Sequence, residues 1–231
     1  MTTTPRAWMS WSSGKDSAFA LDSVRRSGEL DVVGLLTTVN ATADRVAMHA
    51  VRRELLETQA AAVGLPLHVV DLPWPCPNEI YAQRMAAAVE AARADGVSKM
   101  VFGDLFLADV RAYRVQMLAG SGIEPVFPLW LEPTEQLSRR MTAAGIRAVL
   151  TCVDPAQAPA TLLGRWYDDT LLDELPPGVD PCGENGEFHT FVVDGPGFGR
   201  GLDVTIGEVV ERDGFVFADV LPASATLSAD R

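Results

Sequence analysis

Cysteine is scarce and scattered in this chain. Cys76, Cys152 and Cys182 are odd in number, widely separated, and no two form a Cys-x-x-Cys pair. That argues against a disulfide framework or a zinc ribbon, and each thiol reads as a small core or loop residue rather than a nucleophile. Positive charge is equally sparse: 19 Lys and Arg stand against 31 Asp and Glu, a formal net charge of −12. Gripping a nucleic-acid backbone calls for a basic patch. Here the only doublets are Arg25-Arg26, Arg52-Arg53 and Arg139-Arg140, each readable as a solvated helix face, so nucleic acid is disfavoured as a partner. No apolar run approaches the length of a membrane span. The start, Met1-Thr2-Thr3-Thr4-Pro5-Arg6, lacks the apolar core of a signal peptide, which leads to the expectation of a cytoplasmic protein away from membranes. No internal repeat is visible.

What the chain has is a real core in prospect, with 48% hydrophobic residues over 231 positions, enough for one domain and a smaller second one. The first half alternates strand and helix. The run Val32-Val33-Gly34-Leu35-Leu36-Thr37-Thr38-Val39 suits a strand buried on both faces. Met48, Val51, Leu55, Thr58 and Ala62 fall on one face of a helix, which Gly64-Leu65-Pro66 stops. Leu67-His68-Val69-Val70-Asp71-Leu72 reads as a third strand, Asn78 as the cap of the next helix, and Lys99-Met100-Val101-Phe102-Gly103 as a fourth strand. Alternation of this kind implies right-handed crossovers and a parallel sheet, an α/β Rossmann-like domain. The boundary is expected just after Pro125-Val126-Phe127-Pro128-Leu129-Trp130, giving domains over 1–131 and 132–231, the second a smaller α+β unit. That unit should hold a helix over 134–144, a strand over 146–153, edge or hairpin strands near 203–206 and 215–220, and a fraying tail over 224–231.

The densest chemistry follows the first strand. Ala7-Trp8-Met9-Ser10-Trp11 is apolar, Ser12-Ser13-Gly14-Lys15-Asp16-Ser17 is small and polar, and Ser17-Ala18-Phe19-Ala20-Leu21 opens a helix. A strand, tight turn and helix start aim backbone N–H groups and the positive end of a helix dipole at one point, where a phosphate can sit. Lys15 can add a point charge. The loop is not a Walker A loop, because Asp16 follows Gly14-Lys15 and Met9 stands where the first glycine is required. Ser13, within the turn, costs little if its φ is negative and more if it is positive. In a parallel sheet, Thr37-Thr38 and Gly103-Asp104 fall at the same ligand-binding end as this loop, and that agreement favours a nucleotide site.

A second cluster, Pro181-Cys182-Gly183-Glu184-Asn185-Gly186-Glu187-Phe188-His189-Thr190-Phe191-Val192, puts two carboxylates and an imidazole on a glycine-rich turn that runs into a strand. Strand alternation would set Glu187 and His189 on one face. Such a group can position an amine, transfer a proton or bind a divalent metal, although no third ligand is evident.

The first loop resembles the Ser-Gly-Gly-x-Asp-Ser loop of the ATP pyrophosphatases. Gly103-Asp104-Leu105, Arg111-x-x-Arg114, Pro128-Leu129-Trp130, Leu163-Gly164-Arg165 and the Cys182-to-Val192 string follow it in order. The whole series, from about Trp8 to Phe198, resembles the diphthine–ammonia ligase family. The resemblance implies an adenine nucleotide alpha-hydrolase-like fold and an AMP-forming reaction in which ATP adenylates a carboxylate and ammonia displaces AMP. In that family the carboxylate belongs to diphthine, a modified histidine of elongation factor 2.

By the same resemblance, Ser12, Ser13, Gly14, Lys15, Asp16 and Ser17 would cradle the phosphates, with Gly103 beside them. Thr37 and Thr38 would lie near adenine or ribose, and Asp104 would help hold Mg²⁺. Lys15, Asp16, Glu184, Glu187 and His189 would carry the chemistry, the last three on the acceptor side. The Gly103-to-Arg111 segment departs from the Ser-Asp-Tyr-Gln type associated with action on elongation factor 2, so a bacterial-type relative amidating another carboxylate is an open alternative. The remaining alternatives are a tRNA-modifying ATP pyrophosphatase and an ATP-binding sensor without turnover, and a homodimer is compatible with each.

Overall fold

A computed structural model describes residues 4–46 and 51–223. Met48 and the 224–231 tail lie outside the described residues. β1 (Arg6–Ser10) is paired in parallel with β2 (Asp31–Asn40) on one side and β5 (Lys99–Val101) on the other. β4 (Leu67–Leu72) extends the sheet beyond β2 and β6 (Glu124–Val126) beyond β5, both parallel, while the short β3 (Arg45–Val46) pairs antiparallel with β2. The chain therefore turns one way from β1 to β2 and returns to the other side of β1 at β5. Ligands in such sheets bind at that reversal, beyond the carboxyl ends of the strands.

The strand pleat sorts the core into two faces. Ala7 and Met9 of β1 join a cluster with Ala20, Leu21 and Val24 of α1 (Lys15–Ser27) and Leu55 and Leu56 of α2 (Arg53–Val63). Trp8, between them, faces the opposite cluster with Met85 and Val89 of α3 (Asn78–Ala94) and Leu118 of α4 (Ala108–Leu118). This is the expected α/β layer architecture.

The C-terminal part is an antiparallel sheet in the order β8-β7-β10-β9, formed by β7 (Arg147–Val153), β8 (Phe188–Asp194), β9 (Val204–Arg212) and β10 (Phe215–Pro222), with α5 (Thr134–Ala143) and α6 (Asp169–Glu174) alongside. Its Val149, Phe191 and Val192 belong to the same core cluster as α1 and α2, so the two sheets share one apolar interior.

Several expectations change in detail. Asn78 is the first helical residue rather than the cap, since Pro77 occupies the cap position. The two last strands form the expected hairpin, with β9 at one edge of the sheet and β10 interior between β7 and β9. The arginine doublets are not simply solvated: Arg25 donates to the carbonyls of Val63 and Gly197, and Arg52 reaches Asp219 on β10. Each ties an N-terminal helix to another part of the fold.

Candidate active site

The 12–17 loop sits where the topology places it, at the end of β1, and borders a cleft of about 350 Å³. The loop is braced from within. Ser12 Oγ donates to Ser17 Oγ at 3.2 Å, Gly14 N donates to Ser12 Oγ at 3.3 Å, and Ser17 Oγ donates to the Gly14 carbonyl at 2.9 Å. The left-handed residue of the loop is Ser13, with φ 70, whereas Gly14 is extended with φ −91. A backbone region that disfavours L-residues is thus occupied by a serine, the costlier of the two cases set out above. Ser13 Oγ is buried with no hydrogen-bond partner.

Lys15 is sequestered rather than held out to solvent. It is 2% exposed, and its ammonium meets Asp16 Oδ2 at 2.9 Å and the carbonyl of Cys182. The rings of Tyr167 and Phe188 lie 5.3 and 5.5 Å from it. Burial alone would lower its pKa, but Asp16, with Cys182 and Glu184, outweighs that and raises it. Burial raises Asp16 in turn, and Lys15 only partly opposes the rise.

Beyond β5, Gly103 packs so tightly on the loop that a Cβ there would lie 2.9 Å from the backbone carbon of Asp16. Only glycine permits this approach. Asp104 follows, its carboxyl raised by burial and by Asp16 against the pull of Arg114. Arg114 Nε lies 3.7 Å from Asp104 Oδ2, and neither atom has a hydrogen-bond partner although both are buried. Asp16 Oδ1 is in the same condition. Thr37 and Thr38 border the cleft from β2.

The segment between α6 and β8 closes the cleft from the C-terminal side. Gly183 turns with φ 67, and a Cβ on it would meet the Phe188 carbonyl at 2.8 Å, so the turn depends on glycine. Glu184 Oε1 accepts from Leu105 N at 2.7 Å and Phe106 N at 3.3 Å, while its own N–H donates to Asp180 Oδ2 at 2.9 Å. Burial pushes its carboxyl up to about 7; the two N–H bonds oppose this and Asp16 reinforces it. His189 lies on β8 and borders the same cleft. Glu187 does not. It precedes β8, so pleat alternation does not pair it with His189, and its buried Oε1 accepts from Asp180 N and Asn185 Nδ2, both at 3.0 Å.

The 184–192 segment packs directly on the phosphate loop: Lys15 N donates to Thr190 Oγ1 at 3.1 Å, and Val192 N donates to the Ser13 carbonyl at 3.0 Å. The two dense motifs of the sequence line a single cleft. No local pattern marks Thr190 or Gln59, and only the Arg111-x-x-Arg114 spacing marks Arg114. Cys152 and Cys182 are buried and burial pushes both thiols up to about 12, so neither is a ready nucleophile.

Comparison with protein families then decides the kinship. Residues 6–123 match the family model for the diphthamide synthase N-terminal domain, and residues 133–218 match that for its C-terminal domain. The chain belongs to the diphthamide synthase family. Among curated members, diphthine–ammonia ligase of Rattus norvegicus is 32% identical over 120 residues, and that of Homo sapiens 33% over 120 residues. Each of these matches covers 49% of this chain and 45% of the mammalian protein, so the chain spans about half the length of those relatives. Diphthine–ammonia ligase of Danio rerio is 27% identical over 233 residues, 90% of each chain. Among the described residues, no helix is long and apolar enough to cross a membrane.

Proposed function

We propose that the protein is an ATP-dependent, AMP-forming ligase that activates a carboxylate and transfers it to ammonia. The observation that carries this reading is the convergence of the 12–17 loop with Glu184 and His189 on one cleft. An anion-binding turn and a proton-transfer pair then face the same bound molecules. In this reading residues 1–131 supply the nucleotide site and residues 132–231 most of the acceptor side.

The chemistry follows from the groups present. An acceptor carboxylate oxygen attacks the α-phosphorus of ATP, the bond to the bridging oxygen breaks, and pyrophosphate leaves. Ammonia then attacks the acyl carbon and AMP leaves. The nitrogen sheds a proton, which Glu184, ionisable near pH 7, or His189 can accept. First-turn N–H groups of α1 and the hydroxyls of Ser12 and Ser17 would hold the phosphates, with Thr37 and Thr38 toward the nucleoside. Lys15, tied to the Cys182 carbonyl, would act mainly by holding the C-terminal segment against the loop. Glu187 would act through the 180–185 turn it braces.

Asp16 Oδ1 and Asp104 Oδ2, buried carboxylate oxygens with no hydrogen-bond partner, suit a hard cation. Among the described residues no cluster of three or more potential ligands exists. These two residues would therefore hold Mg²⁺ together with phosphate oxygens and water, its usual manner. When bound, Mg²⁺ would neutralise charge developing on the phosphates.

The test is release of AMP and pyrophosphate from ATP, with ammonium present, across candidate carboxylates that include diphthine-bearing protein and small acids. Stoichiometric AMP, pyrophosphate and amide support the reading. Release of ADP and phosphate, or tight ATP binding with no AMP from any acceptor, overturns it.

A further inference from the structure

Gln59, on α2, lies outside every motif of the sequence, and none of its surface is exposed. A buried primary amide must find partners for both its donors and its acceptor. Here Oε1 accepts from the indole Nε1 of Trp11 at 3.0 Å, and Nε2 donates to the carbonyls of Ser13 at 3.1 Å and Val192 at 2.5 Å. The orientation of the amide is fixed by its surroundings, because an indole N–H only donates and a carbonyl only accepts. One side chain thus joins the residue that ends the first apolar run, the phosphate loop and strand β8.

The residue it holds is the strained one. Ser13 is left-handed, its hydroxyl has no hydrogen-bond partner, and so its own side chain does nothing to keep it there. Strain of this kind persists where the surroundings over-determine the backbone. At Ser13 those surroundings are the Gln59 amide and the Val192 N–H, which converge on the same carbonyl.

We propose that Gln59 is a positioning residue for the nucleotide. Its amide fixes Ser13, hence the aim of the first turn of α1, and couples that geometry to the docking of the C-terminal sheet. The inference rests on reading the 12–17 loop as the ATP site.

The experiment is calorimetric titration of a non-hydrolysable ATP analogue with Mg²⁺, without acceptor. It compares wild type, Gln59→Met, Ser13→Gly and the double variant, each checked for fold by circular dichroism and thermal unfolding. Gln59→Met keeps the size of the side chain and removes three hydrogen bonds. It should bind the analogue about 10- to 100-fold more weakly, the scale of losing preorganising contacts. Ser13→Gly frees the loop from its dependence on the amide, so adding Gln59→Met in that background should cost less than about threefold. Gln59→Glu, which keeps the acceptor for Trp11 and loses the donors when ionised, replaces Gln59→Met if the latter does not fold, and should also bind weakly. Wild-type protein that does not bind the analogue overturns the nucleotide reading and this inference with it. Wild type that binds, with folded Gln59 variants within twofold of it, overturns the inference alone. An equal loss with and without Ser13→Gly makes Gln59 a packing residue and overturns the positioning role.

Discussion

Asp219 and Glu184 both reach from the C-terminal half onto the N-terminal half, yet their electrostatics run in opposite directions. Asp219 on β10 accepts from Arg45 Nη1 at 2.7 Å, Arg52 Nε at 3.1 Å and Arg52 Nη2 at 2.6 Å. Burial pushes its carboxyl up, but the bonds and charges of the two arginines outweigh burial and hold it at about 2. Glu184 makes an equivalent tie with two neutral backbone N–H groups, burial dominates, and its carboxyl sits at about 7. Both carboxylates join the halves. The one given full counter-charge keeps a constant charge over the working pH range, and the one denied it can gain or lose a proton there. That contrast is how a fastening differs from a candidate acid or base, and it separates the two without reference to any motif.

The largest effect is expected at Lys15, the buried cation whose charge Glu184 also feels. Lys15→Ala leaves the Asp16 carboxylate without its partner and empties the space between Tyr167 and Phe188. Removing one member of a buried ion pair costs about 3–5 kcal/mol. Urea unfolding should show a loss of this size, and a loss below about 1 kcal/mol would mean that the ammonium is not the interdomain tie described here.

Glu184→Gln comes next. A carboxyl raised in the folded state is protonated in both states at low pH. Its favourable contribution is full below the unfolded value near 4.5 and is lost as pH rises through about 7. The amide of glutamine can still accept from Leu105 and Phe106 but has no ionised form to desolvate. Near pH 8 the variant should therefore be more stable than wild type, by up to about 3 kcal/mol, while the two match near pH 4. Acceptor-dependent AMP release should fall about 100-fold over the same range. A variant less stable at high pH would show that the charged form is the one the fold favours.

These two residues also show how far the sequence could be read. Lys15 stands in a loop whose strand, turn and helix are contiguous, so local rules locate it. Glu184 is legible as part of a glycine-rich cluster, but its partners Leu105 and Phe106 are 79 and 78 positions away, and no local pattern marks them. Gln59 is hidden for the same reason, with its partners 46, 48 and 133 positions distant. β6 reads as punctuation because Pro125 lies inside it; as the outermost strand it pairs on one side only, where proline is tolerated. α4 escapes because Leu118 is the one buried residue it contributes, leaving no apolar face for periodicity to detect. Arg114, carried by that helix, is legible only through the Arg111-x-x-Arg114 spacing, which does not reveal its partner Asp104.

Asp219→Asn tests the other side of the comparison. A depressed carboxyl contributes stability above its unfolded value near 4, which is lost as pH falls through about 2. The variant should be about 2 kcal/mol less stable than wild type near pH 7, and the difference should shrink below about pH 4 and close only below about pH 2. Turnover should stay within about twofold, because none of Arg45, Arg52 and Asp219 lines the cleft. If Asp219→Asn and Glu184→Gln shift stability in the same direction near pH 8, the two carboxylates do not differ in the way described.

The smallest effect is expected at Ser13, where the comparison moves from charge to backbone. A left-handed conformation costs an L-residue about 1–2 kcal/mol, and the buried Ser13 hydroxyl without a partner adds to that. Glycine removes both costs but loses about 0.5–1 kcal/mol in chain entropy on folding. Ser13→Gly should therefore raise stability by about 1 kcal/mol, read as a higher midpoint in urea with an unchanged slope. A lower midpoint would mean that the serine contributes more to the folded loop than its φ and its unbonded hydroxyl allow. A steeper or shallower slope would place the effect in the unfolded chain. With the midpoint raised and the slope constant, the strain is native, and what opposes it is the pair of hydrogen bonds from Gln59 and Val192 to the Ser13 carbonyl.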